Sequence, residues 1–163
     1  MSVVSARRVG PDDWRAWREV RLAALAESPE VFPAELTRAR RYDESDWRER
    51  LDPDSGVWAL AVAGEDLVGQ VGAWLPFGSI PMLVGLWVRP AWRGRGVGDV
   101  LVAEVLDWAR QRSHGRVDLW VLEHNAPARR LYERHGFTAV NEYMPSPDLP
   151  RAREQLMVCH IGS

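Results

Sequence analysis

Residues Arg93, Gly94, Arg95, Gly96, Val97 and Gly98 form a run suited to one kind of chemistry, the capture of an anion by main-chain amides. Alternating glycines let a chain bend with its N–H groups turned inward and no Cβ in the way. A helix opening directly after such a loop adds unpaired N–H donors and the positive end of its dipole. A pyrophosphate suits this arrangement. The run therefore points to a nucleotide-like ligand held mostly by backbone.

The flanking segments must position that loop. Residues 82–88 are apolar on both faces, the pattern of a central strand, and residues 97–110 carry a helical pattern. Residues 3–9 read as a first strand, and Pro11, Asp12 and Asp13 start a helix whose apolar face is Trp14, Trp17, Leu22 and Leu25. Ser28-Pro29 stops it. Residues 31–42 show no regular pattern, and 43–51 read as a short second helix. Residues 57–63 and 67–75 form a hairpin around Gly64-Glu65-Asp66, and 76–81 a turn. Residues 117–122 are a second two-sided apolar strand. A short helix follows over 125–135, with Pro127 in its first turn and Gly136 past its end. Residues 137–140 and 154–161 are the last strands, joined by a Pro-rich loop. The order is β-α-α-β-β-β-α-β-α-β-β, an α/β (α+β) fold with helices packed on a mixed sheet.

A chain of 163 residues is most simply one domain, 1–163, with room for a real core. A net charge of −2 implies no general affinity for nucleic acid or an anionic membrane. All 21 basic residues are Arg, so no catalytic or Schiff-base lysine exists. Cys159 is the only cysteine; it excludes an internal disulfide, fits a reducing cytoplasm and reads as a buried structural thiol among Leu156, Met157, Val158 and Ile161. No apolar run approaches membrane-spanning length, so a soluble, cytoplasmic protein is expected.

A glycine loop has two usual readings. A dinucleotide-binding turn fits poorly, because the glycines alternate, Asp99 stands where a third motif glycine belongs, and the loop follows an antiparallel-looking hairpin. The second reading comes from residues 119–137, which run from Leu119 through Glu123-His124-Asn125-Ala126-Pro127-Ala128-Arg129-Arg130-Leu131-Tyr132-Glu133 to Gly136-Phe137. Together with Val88-Arg89-Pro90, Arg93, Gly96 and Gly98, this segment closely resembles the GCN5-related N-acetyltransferase (GNAT) superfamily. The resemblance implies a seven-stranded, mostly antiparallel mixed sheet with four helices and splayed central strands. It implies acetyl-coenzyme A (acetyl-CoA) as cosubstrate, no metal, and an amine acceptor.

Residue by residue, the resemblance implies that the backbone of Leu86, Trp87 and Val88 pairs with the pantetheine arm as an added strand. Arg93, Gly94, Arg95, Gly96, Val97 and Gly98 would wrap the pyrophosphate. Asn125 would bond the pantetheine arm, with Ala128 beside it, and Arg129, Arg130 and Arg134 would be candidates for the phosphates. Tyr132 would point its hydroxyl at the thioester sulfur and assist its departure. Plainer roles stand beside these: Tyr132 as a packed aromatic, Asn125 as a helix cap, the glycines as an ordinary turn, Arg129 and Arg130 as a solvated face.

The sequence departs from the family at the base. Where many relatives carry glutamate, this chain has Met82 and Trp120. Glu123, His124, Glu35, Asp43 and Glu142 could serve, directly or through water, with Glu123 and His124 at the end of the splayed strand foremost. Asp99 puts a negative charge beside the expected pyrophosphate; either Arg93 and Arg95 offset it, or it turns outward as a helix-start acid. Trp74, Phe77, Trp87 and Tyr143 are the aromatics expected near the acceptor, bordered by segments 29–51 and 141–153. An aromatic rim would suit a hydrophobic or cationic amine. The expected function is N-acetylation of a primary amine, on a small molecule or a protein N-terminus, with a homodimer among the assemblies compatible with it. The rival is a module that binds or senses acyl-CoA without catalysis.

Overall fold

The computed structural model describes residues 3–28, 33–76 and 80–162. One sheet of seven strands has the order β1-β2-β3-β4-β5-β7-β6. The strands are β1 Val4–Arg8, β2 Gly56–Ala63, β3 Asp66–Trp74, β4 Met82–Val88, β5 Arg116–Leu122, β6 Thr138–Pro145 and β7 Arg153–His160. The helices are α1 Trp14–Glu27, α2 Pro33–Arg41, α3 Glu44–Arg50, α4 Val97–Gln111 and α5 Ala126–Arg134.

Both faces of the sheet are covered. In β2 the pleat sends Val57, Ala59, Ala61 and Ala63 into a core shared with α4, while Leu60 joins the core under α1, α2 and α3. Helix α4 buries Val97, Leu101, Val102, Val105, Leu106, Trp108 and Ala109, a stripe at helical spacing. Helix α1 buries Trp17, Val20, Ala24 and Leu25 against the other face. Trp47 of α3 and Leu51 after it are 1% and 0% exposed. Burial of each such side chain is worth roughly 1.5–3 kcal/mol.

Two irregularities at the centre of the sheet create the site. Strands β4 and β5 run parallel and pair only where Met82 lies opposite Asp118. The Asp118 N–H donates to Pro81 O at 3.0 Å, and beyond this point the strands part. Strand β4 also bulges: Gln70 faces Trp87 and Gly72 faces Val84, so Gly85 and Leu86 stand against Val71 alone. Gly85 sits at φ +64, which a residue with a side chain rarely adopts.

The structure adds a fifth helix to the four expected. Residues 33–41, read from the sequence as irregular, fold as α2. Among its described side chains the buried apolar ones are Leu36 and Ala39, too thin a stripe to register as a period, while Arg38, Arg40 and Arg41 in its last turn suit the dipole. Strand β6 continues to Pro145, well past residue 140, because a register shift between Ala139 and Tyr143 interrupts its alternation without ending the pairing to β7. Phe77 and Pro29 lie outside the described residues.

Candidate active site

The parting of β4 and β5 opens a slot of about 350 Å³. Leu83, Gly85 and Leu86 form one wall, Trp120 and Leu122 the other, and Asn125, Ala128 and Tyr132 of α5 close an end. Tyr132 is 8% exposed and packs edge-on against Phe137, with ring centroids 5.8 Å apart. Burial pushes its phenol pKa up to about 12. The hydroxyl therefore keeps its proton at any physiological pH and stays available as a donor. Asn125 caps α5, its Oδ1 accepting from the Ala128 N–H at 3.3 Å, so capping fixes a residue that also lines the slot.

Three carboxylates surround the acceptor end. Asp148 and Glu154 line the slot, and Glu35 lines the cavity adjoining it. Burial raises the pKa of Glu154, and the charge of Asp148 adds to that rise. Asp148 is raised first by burial and then by Glu35. Such groups hold a proton more tightly than exposed carboxylates do and are better matched to proton transfer near neutrality.

The slot opens past Leu86 and Ala128 into a second cavity of about 510 Å³ built on the glycine run. Gly94 and Gly96 adopt φ +76 and +82, which turns the chain into α4. The ladder of α4 begins with the Val100 N–H on Gly96 O at 3.2 Å. The amides of Val97, Gly98 and Asp99 ahead of it have no helical acceptor. Gly98 works differently from its neighbours: a Cβ there would lie 2.9 Å from Leu131 Cδ2, so its role is to let α4 and α5 approach.

Ion pairs brace this cradle. Asp99 accepts from the Arg134 Nε and Nη2 at 3.2 Å each and bonds His135 Nε2 at 2.8 Å. Burial works to raise the Asp99 pKa, but Arg134 and His135 outweigh it and hold the carboxyl below its usual range. Asp99 thus neither depends on Arg93 and Arg95 nor turns away as a bare helix-start acid; it fastens α5 to the first turn of α4. Arg93 lines the cavity yet is anchored behind it, with Nη2 donating to both Glu27 oxygens at 2.7 and 2.8 Å and Nε donating to Val88 O at 3.0 Å. The Trp87 indole N–H donates to the same Glu27. Burial raises the Glu27 pKa, but the bonds from Trp87 and Arg93 prevail and hold it low.

A third cavity, of about 560 Å³, lies between the sheet and helices α1–α3 and meets the slot at Arg21, Val84 and Gly85. Trp58, Trp74 and Tyr42 form its aromatic wall.

Several expected residues converge here and others do not. Leu86, Trp87, Val88, Arg93, Gly94, Gly96, Val97, Gly98, Ala128 and Arg134 line the glycine cavity, and Tyr132 and Asn125 line the slot. Arg95 lies over the Trp92 ring at 5.1 Å instead of lining the cavity. Arg130 is exposed, and Arg129 lies close enough to Glu123 to lower its pKa and does not line the glycine cavity. Glu123 is held in a two-bond ion pair by Arg153 at 2.7 and 2.8 Å, and the His124 side chain is 94% exposed. Both line a further cavity of about 710 Å³ with Tyr143, which touches the slot through Leu122 and Asn125. Asp43 caps α3, accepting from the Asp46 N–H at 2.9 Å. Glu142 is exposed. Sequence reasoning missed Glu154, Asp148, Arg21 and Gln70. Gln70 sits mid-strand in an apolar stretch and is 1% exposed, a signal that was available; nothing local marks the other three.

Among the described residues, no cluster of three His, Cys, Asp or Glu could hold a metal, and no helix is long and apolar enough to cross a membrane. Residues 17–137 match the family model "Acetyltransferase (GNAT) family". A mycothiol acetyltransferase of Beutenbergia cavernae is 34% identical over 126 residues, covering 77% of this chain, which spans 41% of that relative's length. The L-amino acid N-acetyltransferase AaaT of Escherichia coli is 30% identical over 145 residues, 84% of each chain. Among solved structures, yncA of Salmonella typhimurium with its cofactor acetyl-CoA superposes with a TM-score of 0.75 at 18% identity, over 99% of this chain and 96% of its own. Matched by the family model over most of its length, and folded around a parted central strand pair beside a glycine turn, the chain belongs to the GNAT acetyltransferase family.

Proposed function

We propose that this chain is a single-domain, acetyl-CoA-dependent N-acetyltransferase over residues 1–163, soluble and cytoplasmic, acting on a primary amine. One observation carries the reading: the β4–β5 slot, with Tyr132 at its end, continues into the cavity of the glycine turn. The residues present fit the cosubstrate. Left-handed Gly94 and Gly96, open amides at the start of α4 and Arg134 at the rim suit a pyrophosphate. The unpaired edge of β4 at Leu86–Val88 suits the amides of a pantetheine arm.

Acetyl-CoA supplies an activated thioester; the chain supplies position and protons. The slot holds amine and thioester together, so that the new C–N bond forms as the C–S bond breaks. A backbone N–H beside the β4 bulge offers a donor to the developing oxyanion. Glu154, with Asp148 beside it, takes the proton lost by the amine, and Glu123 and His124 lie where that path reaches solvent. Tyr132 gives its hydroxyl proton, or a hydrogen bond, to the departing sulfur.

Thiol release from acetyl-CoA, measured across a panel of amines, tests this. Turnover with any primary amine supports it. A melting shift with acetyl-CoA but no turnover indicates the binding or sensing module instead, and no shift at all sinks both.

A further inference from the structure

The cavity between α1–α3 and the sheet has a direction. The slot is acidic, with Glu154 and Asp148; at the junction Arg21 is paired with Glu35; the cavity beyond adds Arg38 and Arg50. The arginines differ in what they have free. Arg21 donates to Glu35, and Arg50 donates to the Tyr42 hydroxyl and stacks on its ring at 3.9 Å. Among the described residues no carboxylate pairs with Arg38.

A second observation concerns Gln70. It is 1% exposed, and its Nε2 donates to Gly85 O at 3.0 Å, which fixes the amide plane at the bulge. Its Oε1 is buried and has no hydrogen-bond partner, and Gln70 is one of the residues that line this cavity. A buried carbonyl oxygen without a donor is costly to leave unmade, so the site asks its occupant for an N–H at the bulge, where the cavity meets the slot.

Building on the N-acetyltransferase reading, we propose that the acceptor is a primary amine that also carries a carboxylate, that is, a free amino acid. Its amine donates to Gln70 Oε1 at the mouth of the slot, facing Glu154 and Asp148. Its carboxylate takes the open guanidinium of Arg38, with Arg21 beside it. Trp58 and Trp74 give an apolar wall for a side chain. A polyamine would place its second ammonium beside Arg38 and Arg50, with Glu35 already taken by Arg21, and a protein N-terminus would bring a neutral amide where the arginines wait; like charges and unpaired charges both select against such occupants.

The test uses the whole chain with saturating acetyl-CoA. Acceptors are L-amino acids, their amides, a tripeptide and spermidine, with wild type compared against Arg38→Glu. The expected result is kcat/KM at least ~10-fold higher for amino acids than for their amides, the discrimination that a charged hydrogen-bonded site gives. Arg38→Glu should erase most of that preference, chiefly through KM. The acetyl-CoA melting shift of the variant shows that fold and cosubstrate site persist. Amides, tripeptide or spermidine used as well as or better than amino acids would overturn the proposal while leaving the acetyltransferase reading intact. If acetyl-CoA shifts melting but no amine turns over, calorimetry of amino acids against the CoA complex decides: binding of acids over amides sustains the proposal, and equal or absent binding overturns it. Failure of acetyl-CoA itself to bind removes the reading on which it rests.

Discussion

The two sides of the slot are built on opposite plans. The glycine cavity is a backbone device: Gly94 and Gly96 at positive φ, open amides at the start of α4, and ion pairs that sit behind the loop or at its rim. The cavity under α1–α3 is a side-chain device, assembled from Arg21, Glu35, Arg38, Trp58, Gln70 and Trp74, drawn from four elements, α1, α2, β2 and β3. Main chain is the same in every protein, so a backbone cradle suits a ligand shared by many relatives. Side chains vary freely on a fixed scaffold, so the other cavity is where one acceptor is told from another.

The sharpest way to break this contrast is Gly96→Val. At φ +82 a β-branched residue is strained even though the space around it is open, so the turn must shift and the cradle is lost. With acetyl-CoA at ~100 times its Kd, wild type should gain about 2.7 kcal/mol, or roughly 5–10 °C in Tm. The variant should gain nothing, its apo Tm falling only modestly. A preserved shift would show that side chains, not backbone, hold the cosubstrate.

Tyr132→Phe comes next. It removes the phenol hydroxyl from the slot and keeps the ring against Phe137. The expected loss is roughly 100-fold in kcat with little change in acetyl-CoA affinity, since a thiolate is already a fair leaving group. Because the Tyr132 pKa stands at about 12, the wild-type profile should show no alkaline limb from this residue below about pH 11. An unchanged kcat would reduce Tyr132 to packing.

Glu154→Gln sharpens the boundary between the two sides and should cost roughly 10-fold or more in kcat. The folded pKa of Glu154 is raised, so folding favours its protonated form relative to the unfolded chain, and that stability is lost as pH rises through the folded pKa. The variant should therefore be slower yet more heat-stable at pH 7, and the acidic limb of the rate profile should vanish. A limb that survives unchanged moves the base to Asp148, Glu123 or His124.

The smallest effect belongs to Asp99→Asn. The Asp99 pKa is depressed, so the stability from its bonds to Arg134 and His135 is present above the unfolded carboxylate value of about 3.9 and is lost as pH falls through the folded value. The variant should melt slightly lower at pH 7 and equal wild type at strongly acidic pH. An equal gap at all pH values would mean that the ion pair is not what ties α5 to α4.

The same contrast explains what could be read from the chain. Glycine spacing, the two-sided apolar strands and Asn-x-Pro before a helix are local signals, and they located β4, α4, β5 and α5 with the family resemblance carried on them. Helix α2 was illegible because two buried apolar residues make no period. Arg129 and Arg134 look alike in sequence, but five positions on a helix turn them to different faces, and only Arg134 reaches the glycine cavity. In the sequence Glu154 reads as the start of a strand; its place in the slot follows from pairing with Leu122, a fact of tertiary register that no local pattern contains.

The lone Met82–Asp118 pairing also bears on how the molecule behaves in a crowd. Any open sheet has unpaired N–H and C=O groups at its rims, and such rows invite strands from other molecules and so aggregation. Here two further unpaired rows, one on β4 and one on β5, face each other across a narrow gap of about 350 Å³ inside the sheet. Flanked by α5 and by residues 146–149, they can be reached by a slim extended chain but not readily by a bulky strand from a neighbour. Parting the sheet in its middle thus keeps two sticky edges available for work while hiding them from self-association.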